Sequence, residues 1–358
     1  MKIVVACGGT GGHAFPGLAV AEELVRRGHE VVVWDSGRAI ESSVMKRWGG
    51  PTFSTGARQL SVRNALANVL AIVRCRKEMR RTKPGALLAM GSYSSLPPVV
   101  AAWLCGVRVC LHEANTVPGK AVEFLSRFAD AVAISFERTE RHLPNVRTVL
   151  TGLPVRAEIA NGRRFDFIPP EAFVVFVTGG SQGAHAVNML AKDALVMMRH
   201  ELEKRGSERP LYVIHQTGAA DEGEVQAAYA GASLPARVHA FESEMADAFA
   251  SADIVVARAG ASTCFELAQC GKPALLIPLP TAMRNHQHFN ADSFAAKGAA
   301  DEGSQAELSA RQLCRYLLEK FDNPDHLRRM AARMRELASP HAAELVADLV
   351  EGGKQERM

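Results

Sequence analysis

A glycine-rich turn, set between a short apolar run and a helical pattern, limits what this chain can fold into more than any other stretch. Phe173-Val174-Val175-Phe176-Val177 is too short to cross a bilayer and rich in β-branched and aromatic residues, which predicts a buried strand. Gly179-Gly180-Ser181-Gln182-Gly183-Ala184 follows, and a helical pattern then runs to about Met198. Strand, glycine turn and helix together aim backbone N–H groups and a helix dipole at an anion, so the turn is a candidate phosphate cradle. Ser181 adds a hydroxyl donor. A plain strand-to-helix turn, with glycines relieving steric strain, accounts for the same residues.

The arrangement occurs twice. Lys2-Ile3-Val4-Val5-Ala6-Cys7 runs into Gly8-Gly9-Thr10-Gly11-Gly12-His13, and a helix is expected from about Pro16 to Arg27, closed by Gly28. One polyphosphate does not need two cradles. Two similar domains facing a shared cleft is the simpler reading, and 358 residues suffice for a full core in each. A nicotinamide-binding domain is a competitor, because Asp35 and Ser36 follow the second strand, His29 to Trp34, where a ribose-binding acid belongs. The first turn does not fit that reading, since His13 replaces the third glycine of Gly-x-Gly-x-x-Gly.

Composition excludes several classes. Apolar residues at 47% and charged residues at 22% are ordinary for a soluble globular chain. A net charge of +4 is too small to imply nucleic acid, and none is expected as a partner. The 7 cysteines show no paired metal-ligand spacing and sit mostly in apolar runs, so buried reduced thiols are expected and no metal site. The amino terminus enters a strand without a signal sequence, and no stretch approaches a membrane span.

Strands alternating with helices through the second half (172–177, 211–215, 237–241, 253–257 and 274–278) imply parallel, doubly wound sheets. Ligands of such sheets bind at the carboxyl ends of strands. The candidates there are Gly91-Ser92-Tyr93-Ser94-Ser95, His112-Glu113-Ala114-Asn115 with Pro118-Gly119, Arg258 to Glu266, and Asn285-His286-Gln287. His112 equally suits a packed core histidine. Glu266 can accept from both hydroxyls of a ribose, while Thr263 and Glu266 also have the spacing of a capping box. Residues 58–83 combine an apolar face (Leu60, Leu66, Val69, Leu70, Ile72, Val73) with Arg58, Arg63, Arg74, Arg76, Lys77, Arg80, Arg81 and Lys83, balanced by Glu78 alone. The segment suits either an anionic membrane surface or a crossover helix with a solvated basic end.

In order and spacing, these landmarks, with Pro154-Val155-Arg156, resemble the MurG family of peripheral membrane glycosyltransferases. Ala114, Leu153 and Ala259 depart from residues common in that family, and an extra residue falls around Pro280 to Met283. The resemblance implies a GT-B fold, in which two Rossmann-like domains face a cleft. Residues 1–156 would form the acceptor and membrane-associated domain and 157–337 the donor domain, with a helix at about 338–358 packing back on the first. It implies transfer of N-acetylglucosamine from UDP-N-acetylglucosamine to the 4-hydroxyl of the muramyl sugar of lipid I, with inversion. No cofactor or metal is implied, and no Asp-x-Asp stands at a strand end. Gly180, Ser181, Gln182 and Gly183 would hold the diphosphate; Arg156, Ala261, Ser262, Thr263, Cys264, Phe265, Glu266 and Gln287 would complete the donor site. The backbone at Glu242 would meet uracil, and Thr10, Gly11, Gly12 and Asn115 would reach the sugar and acceptor diphosphate. His13 is the candidate general base, with phosphate anchoring and a structural role as its alternatives. Segment 58–83 and Trp103 would dock on an anionic membrane at its cytoplasmic face. Other UDP-sugar enzymes of this fold (a glycolipid galactosyltransferase, a UDP-N-acetylglucosamine epimerase) and a non-catalytic nucleotide-sugar-binding module remain open.

Overall fold

The computed structural model describes residues 1–352 apart from Thr10, residues 38–47, Leu60 and Ser181. It divides into two compact units, Met1–Arg156 with Ser339–Met358, and Ala157–Ala338.

The first unit is built on a parallel sheet of order β3-β2-β1-β4-β5-β6-β7. Its strands are β1 (Lys2–Ala6), β2 (Glu30–Asp35), β3 (Thr52–Ser54), β4 (Ala86–Ala89), β5 (Arg108–Glu113), β6 (Ala131–Ile134) and β7 (Thr148–Leu150). Helices α1 (Gly11–Arg26), α2 (Ala65–Thr82), α3 (Leu96–Leu104) and α4 (Lys120–Leu125) connect them. Every residue of β4 and β6 is buried, as a sheet covered on both faces requires. Helix α1 begins five residues earlier than the sequence suggests: Gly11, Gly12 and His13 are its first turn and Pro16 lies inside it. As the sixth residue of the helix, Pro16 removes the N–H that would otherwise donate to Gly12 O, leaving that carbonyl without its intrahelical bond. His112 and Glu113 close β5 instead of starting a loop.

The second unit repeats the winding with the order β10-β9-β8-β11-β12-β13, again all parallel. The strands are β8 (Phe173–Thr178), β9 (Leu211–Gln216), β10 (Ala236–His239), β11 (Ile254–Ala257), β12 (Ala274–Leu276) and β13 (Ala300–Glu302). The helices are α5 (His185–Lys204), α6 (Glu222–Gly231), α7 (Met245–Ser251), α8 (Ala261–Cys270), α9 (His286–Ala295), α10 (Ala310–Asp322) and α11 (Pro324–Glu336). Strands β3 and β13 escape sequence reading because each has only three residues at a sheet edge, too short for a periodicity.

Helix α12 (Ala342–Glu351) belongs to the first unit. Val346, Ala347, Leu349 and Val350 enter the core formed by α1, β1 and β4. Arg27, just after α1, reinforces the contact with ion pairs to Asp348 and Glu351. All three tryptophans (Trp34, Trp48 and Trp103) lie in the first unit, so their fluorescence reports its unfolding alone. Leu349→Ala is expected to destabilise that unit by about 2–5 kcal/mol, read as a lower urea midpoint in tryptophan fluorescence. An unshifted midpoint would show that the helix is peripheral to this core.

Candidate functional site

In a sheet wound in both directions the crevice lies where the strand order reverses. That point falls between β1 and β4 in the first unit, and between β8 and β11 in the second. Both glycine turns and both serine- or arginine-bearing loops follow those four strands.

In the first unit three loops interlock. Ser94 Oγ donates to Gly8 O at 2.7 Å, and Ser95 Oγ donates to Gly91 O. Gly9 has φ +122°, and a Cβ there would lie 2.7 Å from Ser92 Oγ, so only glycine lets the two loops approach this closely. Ser92 itself has φ +69°, a conformation that costs a non-glycine residue free energy and clusters at functional sites. The third loop is shaped by Glu113. Its Oε1 accepts from Asn115 N–H at 2.9 Å and Asn115 Nδ2 at 3.1 Å, and its Oε2 accepts from Gly119 N–H at 3.0 Å. Burial pushes the Glu113 carboxyl above its usual range against the pull of those donors.

His13 sits half-buried in the first turn of α1, its Cδ2 3.7 Å from where a Cβ on Gly91 would stand. Loss of solvation lowers its pKa to about 4, so the ring is neutral at pH 7. His112 is a packed histidine: it is 1% exposed, with Nε2 3.3 Å from Gly152 O and its pKa also lowered to about 4 by burial. Arg156 lies with its guanidinium 5.0 Å from the ring of Phe15 on α1. Gly11 and Gly12 begin α1, and Thr10 lies outside the described residues.

In the second unit the turn after β8 is held from below. Gly180 N–H donates to Thr178 Oγ1 at 3.1 Å, and Gly183 N–H donates to Gly180 O at 2.9 Å. Gly183 packs against backbone: a Cβ there would lie 2.0 Å from Thr217 O. Gln182 is exposed, and Ser181 lies outside the described residues. Helix α5 starts after Ala184, which supplies no side-chain cap to its first N–H groups. A network running from the core to the surface steadies this helix: buried Asn188 Nδ2 donates to Thr217 O at 2.6 Å and Asp221 Oδ2 at 2.7 Å, and exposed His185 Nδ1 is 2.8 Å from Asp221 Oδ1.

Helix α8 likewise follows Gly260, without a side-chain cap. Ala261 is therefore its first residue and Thr263 its third, so Thr263 is not an N-cap and the capping box anticipated for Thr263 and Glu266 does not form. Ser262, Thr263 and Glu266 are half-buried, whereas Cys264 and Phe265 point into the core. Burial raises the Cys264 thiol to about 12. These two can offer a ligand only backbone. Arg258, at the end of β11, donates to Ile277 O, Pro278 O and Gln305 Oε1, so its guanidinium braces neighbouring loops.

Gln287 accepts from Leu279 N–H at 2.9 Å, closing the loop before α9, where Arg284 and Asn285 both adopt left-handed φ. Glu242 is 2% exposed. Burial alone would raise its carboxyl, but the paired bonds from Arg237 Nε and Nη2 at 2.8 and 3.0 Å hold it below the usual range. That leaves the Glu242 backbone as its contact with a ligand. The residue that sequence reading missed is Gln216, the last residue of β9, because the strand was expected to stop at His215.

Comparison with known proteins gives concordant findings. The Glycosyltransferase family 28 N-terminal domain matches residues 3–134 and the Glycosyltransferase family 28 C-terminal domain residues 174–346. A UDP-N-acetylglucosamine–N-acetylmuramyl-(pentapeptide) pyrophosphoryl-undecaprenol N-acetylglucosamine transferase of Myxococcus xanthus is 36% identical, covering 98% of this chain and 92% of the relative. The transferase of the same description from Trichlorobacter lovleyi is 34% identical, covering 99% of both. Among solved structures, Acinetobacter baumannii MurG is similar with a TM-score of 0.79 at 31% identity, covering 98% of this chain and 100% of that one. A UDP-GlcNAc 2-epimerase from Neisseria meningitidis, solved with UDP-GlcNAc bound, has a TM-score of 0.69 at 13% identity over 99% of this chain and 100% of that one, a likeness of fold alone.

Gly180 and Gly183 separate two costs of replacing a turn glycine. Both have positive φ, but a Cβ at Gly180 meets nothing within 4 Å. Gly180→Ala is expected to cost about 1–2 kcal/mol, and Gly183→Ala about 1–3 kcal/mol more for the clash with Thr217 O. Equal losses in thermal denaturation followed by circular dichroism would contradict the close approach at Gly183.

Proposed function

The chain belongs to glycosyltransferase family 28, within the group of UDP-N-acetylglucosamine–N-acetylmuramyl-(pentapeptide) pyrophosphoryl-undecaprenol N-acetylglucosamine transferases, and from that premise we infer its reaction and the residues that perform it. It moves N-acetylglucosamine from UDP-N-acetylglucosamine to the 4-hydroxyl of the muramyl sugar of lipid I, giving lipid II for peptidoglycan synthesis. The observation carrying this reading is that relatives with that activity match both units, with little left over on either side. The likeness to an epimerase extends to fold only and does not compete.

The donor is assigned to the second unit. The amides of the turn at Gly180, Gln182 and Gly183 and the uncapped start of α5 receive its diphosphate, with Ser181 adding its hydroxyl. Glu266, one turn into α8, takes the ribose hydroxyls, and the Glu242 backbone meets uracil. Ala261, Ser262 and Thr263, the backbone of Cys264 and Phe265, Gln287 and Arg156 complete the donor's surroundings. The first unit supplies Thr10, Gly11, Gly12 and Asn115 for the sugar and the acceptor diphosphate.

In the transfer step the acceptor oxygen attacks the anomeric carbon while its proton passes to a base. The bond to the diphosphate breaks, and UDP leaves with the electron pair. Amides held in place before the reaction stabilise that developing charge without reorganising. Support for His13 as the base comes from its position beside the Gly91 loop and from its neutral ring, which can accept a proton at any pH above about 4.

A second assignment concerns the membrane. No helix among the described residues is long and apolar enough to cross a bilayer. Helix α2 instead buries Asn68, Ala71, Cys75 and Met79 and exposes Leu66, Val69, Leu70 and Val73, with Val62 just before it. Trp103 and Leu104 on α3 and Phe124 on α4 are exposed as well. A depression of about 550 Å³ lined by Trp103, Arg108, Arg127 and Phe128 adds cationic groups beside them. Apolar side chains among cations suit the boundary between anionic headgroups and acyl chains. Lipid I sits in such a surface, and this face of the first unit docks there from the cytoplasmic side.

The test of the reaction is radiolabelled transfer from UDP-N-acetylglucosamine to a short-chain lipid I analogue. Product is expected with this donor and not with UDP-galactose, and the reverse preference would overturn the donor assignment. His13→Ala should lower turnover by about 100-fold or more with little change in UDP affinity. In the unmodified enzyme the acid limb of kcat/KM should lie near pH 4, because the neutral base persists down to its lowered pKa; a limb near 6.5 would remove His13 as the base. For the membrane assignment, Leu66→Glu with Leu70→Glu should abolish flotation with vesicles containing anionic lipid and leave UDP binding intact. Undiminished flotation would contradict it.

A further inference from the structure

Gln216 ends β9 with 3% of its surface exposed. On one side of β9 lies β8, which runs into the glycine turn; on the other lies β10, which runs on to Phe241 and Glu242. Its side-chain amide spans both. Gln216 Nε2 donates to Gly180 O at 2.7 Å, and Gln216 Oε1 accepts from Glu242 N–H at 3.3 Å. Only one orientation of the amide serves both partners, since flipping it would set carbonyl against carbonyl and N–H against N–H. Gly180 O also receives the Gly183 N–H, so two donors draw this carbonyl down toward the sheet. Turned the other way, the same carbonyl would present its negative end to a bound phosphate.

We propose that Gln216 is a positioning residue for the donor, its one amide fixing the spacing between the turn that holds the diphosphate and the backbone that meets the nucleobase. The proposal rests on the reading of the second unit as a UDP-sugar site and deepens it. A nucleoside diphosphate differs from a nucleoside or a free diphosphate in carrying base and phosphates at a set separation. A rigid tie between the two contacts lets binding at one end favour binding at the other, because the entropy of ordering the loops is lost once.

The test replaces the amide by groups with different hydrogen-bonding capacity in the full chain and measures UDP affinity by titration calorimetry. In Gln216→Glu the ionised carboxylate has no donor for Gly180 O, while the protonated acid has one donor and one acceptor, as the amide does. Burial should raise the pKa of this carboxyl, so protonation is within reach of mild acid. Charged and titratable groups near the site are His215 on β9, Asp221 and Glu222 at the start of α6, Arg237 and His239 on β10, and Glu242 and Glu244 beyond it. Each affinity is therefore taken relative to the unmodified chain at the same pH, which cancels their titration and that of UDP.

Gln216→Glu is expected to bind UDP about 10-fold or more weakly than the unmodified chain at pH 8, and within about 3-fold of it at pH 5.5. Gln216→Met, similar in volume but without hydrogen bonds, should be about 10-fold weaker at both pH values. Unchanged UDP binding by Gln216→Met, or a Gln216→Glu deficit that ignores pH, overturns the positioning role while leaving the donor-site reading intact. Failure of the unmodified chain to bind UDP overturns that reading, and the positioning role with it.

Discussion

Parallel strands that end together gather the unsatisfied N–H groups of the following helices along one edge of a sheet. In each unit those helix starts flank the reversal of strand order. A helix N-terminus carries the equivalent of about half a positive charge, worth roughly 0.3–1 kcal/mol to a nearby anion at an exposed position and more when water is excluded. Side-chain caps are the exception among the described helices: α2, α3, α4, α6, α7, α9 and α12 lack one, as do the helices after β8 and β11. Helix α10 has a complete capping box from Ser309 and Gln312, and α11 is capped by Asn323. Helices α5 and α8, which follow β8 and β11, start from Ala184 and Gly260 with no side-chain cap. A polar cap is worth about 1 kcal/mol; the starts of α5 and α8 forgo it as most helices here do, and under the proposed donor assignment a nucleotide diphosphate would take its place.

Close backbone approach is the second half of the same constraint. Gly183 lies against Thr217 O, and Gly9 against Ser92, at distances that no β-carbon tolerates. In the first unit the cost also appears as positive φ at Ser92; in the second it is met by hydrogen bonds from Gln216 and Asn188 to Gly180 O and Thr217 O. The loops expected to touch substrate are thus held by groups beneath them. His13 follows the same logic. Its neighbours strip away water and keep the ring neutral, the state that accepts a proton.

The parallel sheets and the glycine turns were legible because they depend on local patterns: apolar runs, glycine pairs and helical periodicity. Four things were not. The start of α1 was misplaced because Gly11 and Gly12 read as turn residues, whereas the structure makes them the first helical turn. Thr263 and Glu266 have the spacing of a capping box, but Gly260 sets the helix start three residues earlier and the box is out of register. Gln216 was passed over because its role comes from lying between two loops distant in sequence, which no local pattern records. The stripe on α2 was legible as amphipathic but not as exposed, since only tertiary packing shows that Asn68, Ala71, Cys75 and Met79 are the buried side.

If the proposed donor assignment holds, backbone amides of the second unit are the main anion receptor, and hydrogen exchange reads them directly. Saturating UDP should slow exchange across residues 179–186 and around Glu242, while residues 8–13 exchange as in the free protein. Protection confined to residues 8–13, with 179–186 unaltered, would place the nucleotide on the wrong unit and contradict the assignment of donor and acceptor.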